Sequence, residues 1–373
     1  MTRIVHVFPD SVFLPFTADV FEEAAPGLNT FLVYSQHPEA RQHDLSRVPR
    51  MERVRTDPAG LDRVVDALAG SDLAVFHSVG EFAAQALLRC PPGPARMWSG
   101  WGGDYYGSDL FPHAGLLGPQ TARFARQHRT LRAQLGWFRL RYRATRPLHA
   151  AARATDLFSA PIPEDLRVFR RRFGGFRGDY AQLNYASVED TFAPGTTPVA
   201  GDDILLGNSA ALSNNHLELL ELLSRRPLAG RRVVAPLSYG DPGYADAVSA
   251  RGRELFGSDF LPLRDFLPLG EYVEIISRCG LVLMGHRRQQ GIGNVATAMW
   301  SGAAVVLDAR SPLTRFLRTR GAELTTLQDM SRTGLPGAPD EAGRAANRRV
   351  LQDFWGRDTV VANARALVDS VRR

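Results

Sequence analysis

Two trains of short apolar runs, each run separated from the next by a helical or irregular stretch, constrain the fold of this chain more than any other feature. In the first half, RIVHVF (3–8), TFLVYS (30–35), LAVFHS (73–78), the start of ARMWSGWGGDYYG (95–107) and ATDLFSAP (154–161) read as strands. In the second half, DILLGNS (203–209), RRVVAPLSYG (231–240), FLPL (260–263), CGLVLMG (279–285) and AAVVLD (303–308) do the same. Between the latter lie NNHLELLELLSRR (214–226), YADAVSARGRELFG (244–257) and LGEYVEIISRCG (269–280), which read as helices, the last stopped by Gly280. Strands alternating with helices predict parallel α/β sheets covered on both faces. The 373 residues exceed what one core usually holds. A Pro-, Gly-, Thr- and Asp-rich stretch at 181–203 marks the boundary. The predicted class is therefore α/β, with two Rossmann-like domains at 1–185 and 203–350 facing a central cleft. Helices over 351–373 close the chain and can cross back to the first domain. Ligands in such sheets bind outside the carboxyl ends of the strands.

Other classes are excluded by what the chain lacks. Its longest apolar runs are far too short to span a bilayer. MTRIVHVF opens as a strand rather than as a secretory signal, which predicts a cytoplasmic protein. Two cysteines, Cys90 and Cys279, make neither a disulfide framework nor a metal site. The net charge is +6, and every basic residue is an arginine. Eight of them, from Arg123 to Arg146, alternate with Phe124, Leu131, Leu135, Trp137, Phe138, Leu140 and Tyr142. That pattern predicts a basic amphipathic segment suited to an anionic membrane surface. The same charges would serve nucleic acid, but the fold is not a nucleic-acid module.

Three polar turns stand where the strands end. In HRRQQGIGN (286–294), Gly291 and Gly293 let backbone N–H groups approach an anion at a helix start, around Ile292 and Asn294. Arg287 and Arg288 add fork-shaped donors, and Gln289 and Gln290 suit sugar hydroxyls or a base edge. A glycine turn with a solvated basic rim is the plain alternative. In LLGNSAALSNNH (205–216), Gly207, Asn208 and Ser209 form a second turn, while Ser213 or Asn214 reads as a helix cap. In MWSGWGGDYYG (97–107), Trp98, Trp101, Tyr105 and Tyr106 surround Asp104. Aromatic faces beside a carboxylate suit a carbohydrate, and Asp104 has the chemistry of a general base or of a helix cap. His6 and His77 sit in strands, as acceptor ligands, bases or structural residues. No D-x-D triplet occurs, which predicts a metal-independent site with no cofactor, where Arg and helix dipoles neutralise a leaving group.

Together these motifs resemble the bacterial TDP-N-acetylfucosamine:lipid II N-acetylfucosaminyltransferases, the 4-alpha-L-fucosyltransferase family. The residues that carry the resemblance are ILLGNSAALSNNH (204–216), RRVVAPLSYG (231–240), RELFGSDFLPLRDFLPLGEYVEIISRCGL (253–281) and RRQQGIGN (287–294). His6, His77 and WGGDYYG add to it in the first half. The resemblance implies a GT-B fold with the donor mainly in the second domain. It implies transfer of a deoxyamino sugar from a TDP-linked donor to a polyprenyl-diphosphate-linked glycan at the inner membrane face. HRRQQGIGN would then cradle the diphosphate, with Arg287 or Arg288 stabilising the departing charge and GNS facing it. Tyr239 would flank the base or sugar, and Glu271 would take the ribose hydroxyls. Asp104, then His77, would be the base; His6, Trp101 and Tyr105 would hold the acceptor. A non-catalytic nucleotide or nucleic-acid binder, and a nucleotide-sugar epimerase, are the rival readings.

Overall fold

A computed structural model of the chain describes residues 2–35, 43–107, 115–128, 145–192, 195, 198–267 and 269–371. They belong to two compact units. The first takes its residues from Met1–Gly107, Leu131–Thr191 and Phe354–Arg373, the second from Ser108–Thr130 and Phe192–Asp353.

Unit 1 is a parallel sheet of seven strands. These are β1 (Ile4–Pro9), β2 (Asn29–Tyr34), β3 (Met51–Val54), β4 (Leu73–His77), β5 (Ala95–Ser99), β6 (Leu157–Ser159) and β7 (Asp179–Tyr180). Their order is β3-β2-β1-β4-β5-β6-β7, which places the reversal of winding between β1 and β4. Ligand sites of doubly wound sheets form at such a reversal. β1 and β4 are buried along almost their whole length because helices cover both faces. One of those helices is Arg357–Ser370, at the end of the chain. It sets Val360, Ala364, Leu367 and Val368 into a core with Ile4, Val20, Phe21, Leu73 and Val75. Arg357 at its start pairs with Glu23 at 2.7 Å and with Asp190 at 2.5 Å.

Unit 2 repeats the winding with six strands: β8 (Asp203–Leu206), β9 (Val233–Pro236), β10 (Phe260–Leu263), β11 (Cys279–Met284), β12 (Ala304–Leu307) and β13 (Thr325–Thr326). Their order is β10-β9-β8-β11-β12-β13. The core joins Ile204, Leu206, Val233, Leu281 and Val306 to Leu219, Leu220 and Leu223 from the helix His216–Ser224.

Three sequence expectations are corrected here. The helix Leu269–Ser277 ends before Gly280, which lies inside β11; a Cβ there would come within 2.6 Å of the Gly201 carbonyl oxygen. Residues 115–128 pack in unit 2 rather than with the first domain. The Gly118 N–H donates to Asn215 Oδ1 at 2.7 Å, and the Thr121 hydroxyl donates to Glu218 at 2.6 Å. The helix Pro119–Gln127 therefore does not offer its apolar side to a membrane: Ala125 lies in the core of unit 2, and Phe124 meets the Tyr244 ring at 5.3 Å. The rest of the arginine-rich segment, 129–144, lies outside the described residues. No helix among the described residues is long and apolar enough to cross a membrane.

Candidate active site

The carboxyl edge of the unit 2 sheet gathers the turns that follow β8, β9, β11 and β12. After β8 the chain reverses through Gly207 at φ +69°, with the His216 ring beneath it. A side chain at this position would strike that ring and Asn214. After β11 the turn His286–Gln290 leads to Gly291, at φ +66°, which opens the helix Ile292–Ser301. The N–H groups at that helix start have no carbonyl of their own helix to bond, and the helix dipole adds positive potential.

A fully buried residue, Asn214, ties the two turns together. Its Oδ1 accepts from the Asn208 N–H at 3.0 Å and from His286 Nε2 at 2.6 Å. Its amide nitrogen donates to the Ser209 carbonyl at 2.8 Å. His286 thus carries its proton on Nε2, shared with Asn208 Oδ1 at 3.0 Å. Burial, helped by the nearby Arg288 charge, lowers its pKa to about 3, so the ring is neutral. Burial lowers the His216 pKa to about 4. Asn214 was expected to cap a helix, and so was Ser213. The residue before the helix His216–Ser224 is instead Asn215 in the left-handed region, and its side chain makes no cap bond. Ser213 donates to Gln290 Oε1 at 2.7 Å.

The expected donor residues divide by what their atoms already do. Arg287 is anchored within unit 2 through Nη1, which donates to the Leu117 carbonyl at 2.6 Å and the Gly115 carbonyl at 3.1 Å, while Nε lies 3.5 Å from Asp308. One terminal nitrogen is thus held by the segment at 115–117, while Nε and the other terminal nitrogen make no hydrogen bond among the described residues. Gln290 holds its neighbours in place, accepting from Arg288 Nε at 2.7 Å and donating to Asn208 Oδ1 at 3.2 Å. Ser209 is buried, with its hydroxyl on Asn214. Ile292 is buried and offers only backbone. Asn294 donates to the Tyr272 hydroxyl at 3.1 Å. Gln289 is buried, and among the described residues its Oε1 finds no donor. Arg288 uses only Nε within the turn, so the terminal nitrogens of its guanidinium are its remaining donors. Tyr239 stays 59% exposed with its hydroxyl on Asn208, and Glu271 is exposed in the first turn of its helix.

Gly293 differs from Gly207 and Gly291. It has no positive φ, and a Cβ added there meets only the Phe192 ring, at 3.9 Å. Folding thus gives no steric reason for glycine in the first turn of this helix, where alanine is the better helix former. A ligand that must approach the backbone closely supplies one.

In unit 1, three of the expected site residues are interior. His6 and His77 are fully buried and adjacent, with His6 Nδ1 3.2 Å from His77 Nε2 and His6 Nε2 3.3 Å from Asn29 Oδ1. The Asn29 oxygen requires a proton on His6 Nε2, so His6 Nδ1 accepts from His77. Burial holds both rings neutral, His6 at about 4 and His77 well below the usual imidazole value. Neither can touch a glycan, which corrects His6 as an acceptor ligand and His77 as a base. Tyr105 is fully buried too, donating with Tyr106 to Asp165 at 2.5 and 2.6 Å.

Asp104 organises the turn after β5. One carboxylate oxygen accepts from Trp98 Nε1 at 2.7 Å and the Val79 N–H at 3.2 Å; the other accepts from the N–H groups of Trp101 and Gly102, each at 3.0 Å. Burial raises its pKa, against the pull of those donors. All four in-plane lone pairs are occupied, so the base expected here is a structural anchor. Trp101 remains open to a ligand role. Its indole N–H has no partner among the described residues, and its ring meets Phe13 at 5.5 Å and Tyr185 at 5.6 Å. Asn184, which sequence reasoning passed over, likewise has an unpartnered buried amide nitrogen. Nothing in the surrounding pattern of LNY singles it out.

Comparison with known proteins agrees with this geometry. The model of the family described as 4-alpha-L-fucosyltransferase, glycosyl transferase group 56, matches residues 166–333, which include the turns of unit 2. Similar solved structures include a glycosyltransferase from Rickettsia africae, with 11% identity, a TM-score of 0.60, and 100% of this chain and 99% of that one covered. Anabaena HepE, solved in complex with UDP and glucose, has 14% identity and a TM-score of 0.55, over 98% and 95% of the two chains. A Thermobaculum terrenum O-GlcNAc transferase has 17% identity and a TM-score of 0.57, over 100% of this chain and 66% of that one. These likenesses establish the GT-B fold.

Proposed function

We propose that the chain is a GT-B glycosyltransferase of the 4-alpha-L-fucosyltransferase type, and that the start of the helix Ile292–Ser301 binds the diphosphate of its nucleotide-sugar donor. Gly293 carries this reading: it keeps the backbone bare where the fold itself would accept a Cβ. Backbone N–H groups of the turn meet the phosphate oxygens, and the terminal nitrogens of Arg288 close on them. As the acceptor hydroxyl attacks the anomeric carbon and the sugar–phosphate bond breaks, negative charge grows on the diphosphate. Arg288 and the helix start supply positive potential for that charge, which lowers the barrier. Gln290 and Asn214 fix the turn so that no reorganisation is needed. Tyr239 and Glu271 flank the base and the ribose, and a ligand N–H or O–H satisfies Gln289. The partly exposed Trp101 in unit 1 is the candidate for contact with the acceptor glycan.

The substrates we propose are a TDP-linked deoxyamino sugar of the N-acetylfucosamine type and a lipid-linked glycan at the inner membrane face. The motif resemblance of 204–216 and 287–294 supports this choice. The Anabaena protein, solved with UDP and glucose, supports the broader class of a nucleotide-linked hexose. Calorimetry with TDP, UDP and GDP at low and moderate salt tests the donor. Selective TDP binding that survives salt and is lost in Arg288→Ala is the expected result. Weak binding to all three that fades with salt would reduce the cradle to a general anion sink. Turnover of a TDP-sugar that proceeds equally well without any acceptor would overturn the transferase assignment.

A further inference from the structure

A cleft at the opposite edge of the unit 2 sheet lies apart from the turns of the donor cradle. It encloses about 370 Å³ and is lined by Arg231, Arg344, Arg348 and Asp202 over a floor that includes Gly280 and Gly302. That volume is in the range of small-ligand sites. It lies where β8 and β11 begin and where the helix Ile292–Ser301 ends. Three guanidinium groups face one carboxylate, an excess of positive charge.

The geometry leaves that charge unspent. Arg344 and Arg348 stand one turn apart on the helix Glu341–Trp355, so their heads share a face, and like charges at this spacing repel. Arg348 uses Nε on the Trp300 carbonyl at 3.0 Å and keeps its other nitrogens. The Arg344 guanidinium has no hydrogen bond or ion pair among the described residues. Arg231 reaches Asp202 only at 3.6 Å, too long for a hydrogen bond, and the Asp202 side chain is 73% exposed. Gly302, at φ +92°, admits the stem of Arg344; a Cβ there would come within 2.9 Å of Arg344 Cδ. We propose that this cleft binds a phosphate-bearing anion, a phosphate ester or diphosphate gripped by the forks of Arg231, Arg344 and Arg348. The site is separate from the donor cradle and does not depend on the donor assignment.

The rival explanation is that these arginines only complement the negative end of the helix Ile292–Ser301. Inorganic pyrophosphate is the probe, titrated into the full chain carrying Arg288→Ala so that the donor cradle is weakened. Binding should persist in that background and fall about tenfold on adding Arg344→Ala or Arg231→Ala. Asp202→Asn should tighten it, because it removes the competing carboxylate. Pyrophosphate binding that is indifferent to Arg344 and Asp202, or absent once Arg288 is replaced, overturns the proposal. Thermal melts of each variant separate lost binding from lost fold. Co-sedimentation with phosphatidylcholine vesicles containing phosphatidylglycerol then identifies the source. Retention that needs Arg344 indicates a lipid headgroup; pyrophosphate binding without retention indicates a soluble phosphate ester.

Discussion

At the residue scale, neighbours of identical type are held in different ways. Arg287 and Arg288 are adjacent, yet one is anchored through Nη1 on the carbonyls of 115 and 117 and the other through Nε on Gln290. Arg288→Ala should lower kcat/KM by about 10²- to 10³-fold with an unchanged melting temperature. Arg287→Ala should instead cost about 1–3 kcal/mol of stability, because it leaves carbonyl oxygens without donors; chemical denaturation measures this. Gly293→Ala separates folding from function at one position. The helix should hold or gain up to about 1 kcal/mol, while nucleotide affinity falls because the new methyl occupies the approach to the backbone. Retained affinity in a stable Gly293→Ala protein would remove the cradle from this turn. The residue types at 286–294 could be read in the sequence, but their division of labour could not. It depends on which carbonyls and amides fold against them, and Asn214, Leu117 and Asp308 are distant in the chain.

At the element scale, hydrophobic periodicity placed most strands and helices, and failed where an element lacks it. β3 (MERV) sets two adjacent charged residues between two apolar ones at a sheet edge, which breaks the period of two, and β7 and β13 have two residues each, too few for any period. The helix Arg357–Ser370 was legible as a helix, but the unit it would join was not fixed by its own residues. Its buried face completes the unit 1 core, so Leu367→Ala should destabilise that unit by about 2–5 kcal/mol through the cavity it leaves. Hydrogen exchange should show the loss in β1 and β4 and leave β8 and β11 protected. The helix Pro119–Gln127 makes the same point in reverse: its sequence lies between unit 1 strands, yet Thr121 and Phe124 bind it to unit 2.

At the scale of the whole molecule, each unit buries neutral histidines, His6 and His77 in one, His216 and His286 in the other. Their folded pKa values are depressed, so the unfolded chain binds protons more readily as pH falls below about 6.5. The stability these rings hold is complete above that pH and is lost progressively toward their folded values, about 4 for His216 and about 3 for His286. Between pH 6.5 and pH 5 each fully buried ring should cost about 2 kcal/mol. Urea midpoints should therefore drop in this window, before the carboxylates titrate, and His216→Gln, if it folds, should blunt the drop. The sequence by itself determined the architecture, because runs of apolar residues alternating with helices bury their surface best as parallel sheets covered on both faces. It also determined the neighbourhood of the site, because glycine and polar residues collect where such strands end. Only the tertiary structure decided which of those residues remain free to bind and which are consumed as scaffolding. A hydrogen-bonding group can be spent once, and its partner is chosen by the folded chain rather than by its neighbours in sequence.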